Sequence, residues 1–192
     1  MLLLVDNGSV FTKDIANTLS NSGIKFDQKP SDQINLDDFS DYDSFILSGR
    51  RNNDSQMNAK NSKIILHAVN EKKKLLGICY GAEILALALG GTIRKSSVIR
   101  GEQEIISSKN LLCDGKKIVF ESHSYEISKL GSSLDVIAES ENCKNEIDAK
   151  KIEKLNDQMS AKYYEKSQRE KHSKMNKFCL ESDPSDLYLI DY

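Results

Sequence analysis

The chain has 192 residues, which suits one domain with a sizeable core, and its 27 basic and 29 acidic residues give a net charge of −2. Such a balance argues against a general binder of nucleic acids or of anionic membranes. An apolar share of 39%, the absence of Trp and a mean hydropathy of −0.49 predict that part of the chain does not pack into the core.

The cysteines are far apart in the sequence and include no C-x-x-C pair; they are Cys79, Cys113, Cys143 and Cys179. This spacing indicates neither a zinc site nor a disulfide framework, and with no Gly-rich phosphate loop or Walker pattern we expect no metal and no cofactor. The apolar N-terminus meets Asp6 too early for a signal sequence, and no apolar run approaches the length of a membrane span. We therefore expect a soluble protein of the reducing cytoplasm.

Short apolar strands alternate with amphipathic helices in the first half of the chain. Leu2–Val5 is a continuous apolar run, typical of a strand buried on both faces of a parallel sheet. Further strands are predicted at 24–27, at 44–47 and up to Gly77-Ile78, with a polar loop at 30–41 and helices at about 11–21, at about 58–70 and from Cys79 to Gly90-Gly91. This order predicts a flavodoxin-like α/β fold, doubly wound, with a mostly parallel sheet and helices on both faces.

Residues 75–91, with the sequence L-L-G-I-C-Y-G-A-E-I-L-A-L-A-L-G-G, carry the strongest functional signal. A G-x-C-x-G turn between strand and helix is the cysteine counterpart of a nucleophile elbow, in which Gly77 and Gly81 permit strained dihedral angles and close packing. The helix N-terminus favours the thiolate of Cys79, which is a nucleophile. A buried structural cysteine is the alternative interpretation.

After Gly91 the pattern changes to short β segments at 92–94, 104–106 and 117–120, with turns at Gly101 and at Asp114-Gly115. These segments predict a small antiparallel β section built of hairpins. Another strand is predicted at 134–139, and residues 183–190 are expected to form either a small docking strand or a loose end.

The segment around Cys79 resembles the nucleophile segment of class I glutamine amidotransferases, whose triad-type glutaminase domain releases ammonia from glutamine. The resemblance implies that Cys79 is the catalytic nucleophile. It also implies that an L-S-G-G-type loop, here Leu47-Ser48-Gly49-Arg50, supplies oxyanion-hole amides near Gly49 and Arg50, together with the amide of Tyr80. Arg50 departs from the family, which has a second glycine there. A Ser-Gly-Arg-Arg loop is most similar to archaeal glutaminases related to the small subunit of GMP synthase.

The resemblance also assigns substrate-binding residues. Ser122-His123-Ser124 is similar to a family segment that holds glutamine, so His123 and Ser124 are assigned to substrate positioning, together with Gly49. Glu83 stands where the family usually has a glutamine that contacts the substrate. The acid either meets the ammonium of glutamine or repels its carboxylate, and the sequence leaves both interpretations open.

The resemblance ends at about Ile147, so we divide the chain into an amidotransferase-like domain, 1–149, and an atypical charged segment, 150–192, that is either helical or disordered. In the family a segment of the type Y-G-V-Q-F-H-P-E follows, whose histidine is the general base and whose glutamate orients it. Here Tyr164 and Lys166 stand nearest to those positions. His172 is either a displaced base or part of a solvent-facing helix.

Three functions therefore remain open. The first is a glutaminase subunit that hydrolyses glutamine through a Cys79 thioester and passes ammonia to a synthetase partner, with GMP synthesis expected first and anthranilate- or aminodeoxychorismate-type partners next. The second is a catalytically impaired or inactive member of the same family that serves as a binding subunit because the His/Glu pair is missing. The third is a flavodoxin-like binding or sensor module in which Cys79 is part of the core.

Overall fold

The computed structural model describes residues 1–107, 115–150 and 187–190. Its helices are α1 (Thr12–Asn21), α2 (Ser55–Asn70) and α3 (Tyr80–Ala88), and two 3₁₀ turns lie at Ser31–Gln33 and Leu36–Asp41. Its strands are β1 (Leu2–Asn7), β2 (Phe26–Pro30), β3 (Ser44–Arg50), β4 (Lys74–Ile78), β5 (Thr92–Ser107), β6 (Gly115–Lys129), β7 (Leu134–Ser140), β8 (Ile147–Lys150) and β9 (Leu187–Ile190).

In these described ranges, the strands form one sheet in the order β2-β1-β3-β4-β9-β8-β7-β5-β6. The pairs from β2 to β9 are parallel, and the pairs from β9 to β6 are antiparallel. The prediction of an α/β fold with a mostly parallel part and an antiparallel β section is therefore confirmed. The carboxyl ends of β1, β3 and β4 meet at one edge of the sheet, where ligands bind in such folds.

Both faces of the parallel sheet are covered by helices, as predicted. Leu3 and Val5 of β1 pack on one face with Ile64 and Ile65 of α2 and Leu85 of α3. On the other face, Leu2 and Leu4 pack against Leu19 of α1. Because consecutive strand residues point to opposite faces, an uninterrupted apolar run is what a strand covered on both sides requires.

The polar loop predicted at 30–41 contributes more to the core than its composition indicates. Ile34 and Phe39 are buried there, as is Tyr42 directly after the loop, and Phe39 packs against Phe45 and His67. The helix predicted from residue 58 begins three residues earlier, because Asp54 caps it by accepting hydrogen bonds from Gln56 N and Met57 N at 2.7 and 3.0 Å.

The prediction of a turn at Gly101 is wrong. Gly101 lies within β5, has a φ of +141° and pairs with Glu121 of β6. The segments predicted at 92–94 and 104–106 are therefore parts of one long strand, and the register shift between Lys95 and Ile99 interrupts its pairing with β6 without reversing the chain. A glycine with positive φ serves a bulge or bend as well as a turn.

β9 lies in the segment that we assigned to the charged C-terminal part, and it pairs with β4 and β8. The docking-strand alternative for this region is therefore correct at 187–190. The division of the chain at residue 150 stays a prediction. Our expectations for Cys113, Tyr164, Lys166, His172 and Cys179 concern positions outside the described residues. Within the described ranges no helix has both the length and the apolar character needed to span a membrane.

Candidate active site

Cys79 occupies a strained turn between β4 and α3. Its φ of 54° and ψ of −116° lie in a region that residues other than glycine rarely adopt. Its carbonyl oxygen accepts hydrogen bonds from Ala82 N at 2.8 Å and Glu83 N at 3.0 Å, which begins α3 directly after the cysteine. The side chain is half-buried. The predicted elbow geometry is therefore confirmed.

Gly77 and Gly81 permit this turn because backbone occupies the space that a side chain would need. A Cβ on Gly77 would lie 2.5 Å from the carbonyl carbon and oxygen of Gly81, and a Cβ on Gly81 would lie 2.2 Å from Leu47 O. Any substitution would push α3 away from β3 and β4. The glycines thus fix where Cys79 stands relative to the edge of the sheet.

The end of β3 lies beside the cysteine. A Cβ on Gly49 would stand 3.5 Å from Cys79 Cβ and 3.3 Å from Ser9 Oγ. The Ser48 hydroxyl accepts a hydrogen bond from Asn7 N at 3.0 Å and donates one to Gly49 O at 3.0 Å. The loop that the resemblance assigns to the oxyanion hole is therefore next to the sulfur-bearing residue.

The buried side-chain amides of Asn7 and Asn61 hold this loop through hydrogen bonds. Asn61 Nδ2 donates to Asn7 Oδ1 at 2.8 Å, and Asn7 Nδ2 donates to Ser48 O at 3.0 Å. Asn61 is not among the site residues that the sequence predicts. A signal was present, since Asn61 begins the i, i+3, i+4, i+7 stripe that Ile64, Ile65 and Ala68 continue, and a polar residue at a core position needs a partner.

Arg50 and Tyr80 form a second cluster on the other side of Gly49. The guanidinium carbon of Arg50 lies 4.1 Å from the centroid of the Tyr80 ring. Arg50 Nη1 donates to Asn53 Oδ1 at 2.6 Å and to Asn58 Oδ1 at 3.1 Å, and the Tyr80 hydroxyl donates to Asn58 Oδ1 at 2.7 Å. Burial raises the pKa of Tyr80 to about 12 against the opposing effect of Arg50, so the phenol stays a donor.

Glu83 lies one helical turn beyond Cys79 and its side chain is only 8% exposed. Burial raises the pKa of its carboxyl, whereas the charges of Arg50 and His123 lower it. Its Oε2 is 3.9 Å from Arg50 Nη2, which is longer than a hydrogen bond. The two side chains line a cavity of about 140 Å³; the other lining residues are Asn53, Asn58, Tyr80, Ile84, Leu87 and Ile93.

His123 is buried in β6 and both of its ring nitrogens are engaged there. Nδ1 lies 2.7 Å from Tyr125 O and Nε2 lies 3.1 Å from Glu121 Oε2. The Tyr125 carbonyl oxygen is an acceptor, so Nδ1 carries the proton of this contact. Ser124 is the next residue of the strand and is half-buried, so alternation directs the two side chains to opposite faces.

The structure thus brings together Gly49, Arg50, Cys79, Tyr80 and Glu83, with His123 near enough to influence Glu83. Among the described residues the second histidine, His67, packs against Phe39 and Phe45 in the core. No group of three or more His, Cys, Asp or Glu side chains in these ranges is arranged to hold a metal ion.

A cysteine elbow at the carboxyl edge of a parallel sheet, with glycines packed against the neighbouring strand, defines an α/β protein of the nucleophile-elbow class. The sequence model of the family described as Glutamine amidotransferase class-I matches residues 3–173. The chain therefore belongs to the class I glutamine amidotransferase family.

The chain is similar to GMP synthases. It is 29% identical over 164 residues to a glutamine-hydrolyzing GMP synthase of Prochlorococcus marinus, a match that covers 80% of this chain and 30% of that protein. The chain thus spans less than a third of this longer relative. It is 28% identical to a glutamine-hydrolyzing GMP synthase subunit of Pyrococcus furiosus, and this match covers 81% of the chain and 84% of that subunit.

Solved structures share the fold. A crystal structure of a Thermoplasma acidophilum protein assigned as a GMP synthase subunit superposes with a TM-score of 0.72 at 19% identity, covering 99% of this chain and 81% of that one. A glutamine amidotransferase from Thermotoga maritima has a TM-score of 0.63 at 14% identity, covering 93% of this chain and 87% of that one.

Proposed function

We propose that the chain is the glutaminase component of an amidotransferase and that Cys79 is its nucleophile. The observation that carries the proposal is the strained turn, with a φ of 54° at Cys79 and Gly49 packed beside it. The sulfur would attack the side-chain amide carbon of glutamine, forming a C–S bond, and ammonia would leave with the thiol proton as the C–N bond breaks. Water would then hydrolyse the thioester to glutamate and restore the thiol.

Charge develops on the amide oxygen during the attack, so the site needs preorganised donors at that point. We assign this role to the backbone amides near Gly49 and Arg50 and to the amide of Tyr80. Glu83, His123 and Ser124 are assigned to substrate positioning, following the family, in which both the backbone and the side chains of the Ser-His-Ser segment hold glutamine. Since the side chains of His123 and Ser124 lie on opposite faces of β6, one of these two residues would act through its backbone. Glu83 lies one helical turn, about 5.4 Å along the axis, beyond Cys79. Glutamine spans about 4 Å between its amide carbon and its α-carbon. A glutamine whose amide carbon is at the sulfur would therefore bring its α-carbon near Glu83, which supports the assignment.

The ammonia would pass to a synthetase partner of the GMP synthase type. The support is the match to the Pyrococcus furiosus GMP synthase subunit over most of both chains, together with the match to one part of longer GMP synthases. We expect the chain to act in the cytoplasm and to need neither metal nor cofactor for glutamine hydrolysis.

A second candidate is a family member that binds glutamine without turnover. It is favoured by the placement of the two histidines in the described part of the chain, because His67 packs in the core and His123 is held by Glu121 and Tyr125. A glutaminase needs a general base within hydrogen-bond reach of the sulfur.

Two measurements on the purified chain separate these candidates. Glutamine-dependent ammonia release that Cys79→Ala abolishes, and that the control Cys143→Ala retains, would support turnover at Cys79. Labelling of Cys79 by a diazoketone analogue of glutamine, without ammonia release, would support a binding subunit with an activated thiolate. A chain that shows neither ammonia release nor labelling at Cys79 would contradict the assignment of the nucleophile.

A further inference from the structure

The three residues Ser48, Gly49 and Arg50 are held by side chains on both sides of the glycine. Ser48 is fully buried and bonded to Asn7, which is itself paired with Asn61. Arg50 is held by Tyr80, Asn53 and Asn58. Gly49 therefore has little freedom to move relative to Cys79, although glycine is the least restricted residue.

The contact between Arg50 and Tyr80 joins the two backbone segments that flank the sulfur. Gly49 immediately precedes Arg50, and Tyr80 immediately follows Cys79. The Arg50 side chain is 19% exposed and Tyr80 is 3% exposed, so the guanidinium stacks on the ring largely out of water. A planar guanidinium forms such a stack and a forked set of hydrogen bonds at the same time, which an ammonium group does not.

Asn58 makes this contact a closed cluster. Its Oδ1 accepts from both Arg50 Nη1 and the Tyr80 hydroxyl, and its Nδ2 donates to Asn53 Oδ1 at 3.1 Å. Arg50 is thereby anchored to the start of α2 as well as to the start of α3. The backbone of Arg50 also pairs with Asn7 at the end of β1 and forms a β-bridge with Gly8, so its main chain is held to β1.

From these contacts we infer that Arg50 is a positioning residue whose side chain clamps the end of β3 around Gly49, called the loop here, against the start of α3, the helix that follows Cys79. The inference rests on the proposed glutaminase function, because the loop is the one assigned to the oxyanion hole. The clamp keeps the loop amides fixed before substrate arrives. Preorganisation of this kind affects the transition state more than substrate binding.

The test compares Arg50→Met and Arg50→Lys with the control Arg51→Met, which removes an exposed arginine from the same loop. We expect Arg50→Met to lower kcat by about tenfold to a hundredfold, the pattern of a misplaced transition-state contact, and to change KM less than kcat although it also removes the cation that lies 3.9 Å from Glu83. Arg50→Lys should fall between wild type and Arg50→Met. Arg51→Met should stay near wild type.

Two further readouts separate the clamp from general damage to the fold. Iodoacetamide alkylates the same sulfur without forming an oxyanion, so its rate at Cys79 should be nearly equal in wild type and Arg50→Met. Amide hydrogen exchange in the segment 48–53 should be about tenfold faster in Arg50→Met, because the contacts that limit local opening are gone, while exchange in β1 and α1 stays unchanged.

Exchange of the loop decides the inference even for a chain without turnover. Faster exchange in Arg50→Met but not in Arg51→Met supports the clamp. Equal exchange in wild type and Arg50→Met overturns it, whatever the activity. Equal kcat values in a chain that hydrolyses glutamine also overturn it. Absence of ammonia release and of Cys79 labelling in wild type counts against the proposed function and not against the clamp.

Discussion

Replacing Glu146 by glutamine should remove a pH-dependent loss of stability. Glu146 is 2% exposed, and it accepts a hydrogen bond from the Ser140 hydroxyl, while its Oε2 has no partner among the described residues. Burial, reinforced by the charges of Glu121 and Glu126, raises the pKa of Glu146 from 4.5 to about 7 against the opposing effects of Ser140 and His123. Ionisation of this carboxyl within the fold is therefore unfavourable.

The direction of the effect follows from the protons bound in each state. Between pH 4.5 and about 7 the folded chain holds the Glu146 proton while the unfolded chain has released it, so the free energy of unfolding falls as pH rises through this window. The stabilisation that the proton on Glu146 gives the folded chain is complete below pH 4.5 and is lost above about pH 7. Each pKa unit corresponds to about 1.4 kcal/mol, so the raised pKa of Glu146 changes the free energy of unfolding by about 3 kcal/mol across this pH window.

Glu146→Gln keeps the shape and carries no charge, so it should be more stable than wild type by up to about 3 kcal/mol at pH 8 and nearly equal at pH 5. Urea unfolding at several pH values between these limits measures the difference. Glu141→Gln, at an exposed position in the same turn, is the matched control and should keep the wild-type pH dependence. If the free energy of unfolding depends on pH in the same way for Glu146→Gln and wild type, the burial of this carboxyl is refuted.

Two further substitutions test the elbow. Gly81→Ala should lower the melting temperature strongly and reduce Cys79 labelling, because the new methyl group would stand 2.2 Å from Leu47 O; retention of both would contradict the close packing of α3 on β3. Cys79→Gly should raise the free energy of unfolding by about 1 kcal/mol in urea titrations, since glycine adopts a φ of 54° without strain, whereas Cys79→Ala should bring no such gain.

The sequence predicts best those features that local chemistry determines. The continuous apolar run of β1 and the glycines around Cys79 have one good structural solution each, and the structure contains both. Gly101 is different because a glycine with positive φ fits a turn and a bend equally well, and only the pairing of β5 with the long β6 decides between them. Local sequence does not contain that pairing.

The candidate site shows the same division. Cys79, Gly49 and Tyr80 are predicted because their motif has a known geometry. Asn53 and Asn58 were not predicted, since their importance depends on where the Arg50 side chain goes, and α2 comes next to α3 only in the folded chain. Asn58 also accepts a hydrogen bond from Tyr80, which lies 22 residues further along the chain, and the local sequence around Asn58 does not contain that contact.

The proposed reactivity of Cys79 and the proposed turnover of glutamine depend on different parts of this molecule. The geometry of Cys79 is fixed by Gly77, Gly81 and the end of β3, all within the first half of the chain. A general base has to come from elsewhere, and His123 is committed to Glu121 and Tyr125. We therefore expect that Cys79 can be alkylated as a thiolate even in a chain that does not hydrolyse glutamine. A variant that frees the imidazole, such as Glu121→Gln, should leave alkylation of Cys79 nearly unchanged, which mass spectrometry of the alkylated peptide measures; a large loss of alkylation would show that the two regions are coupled.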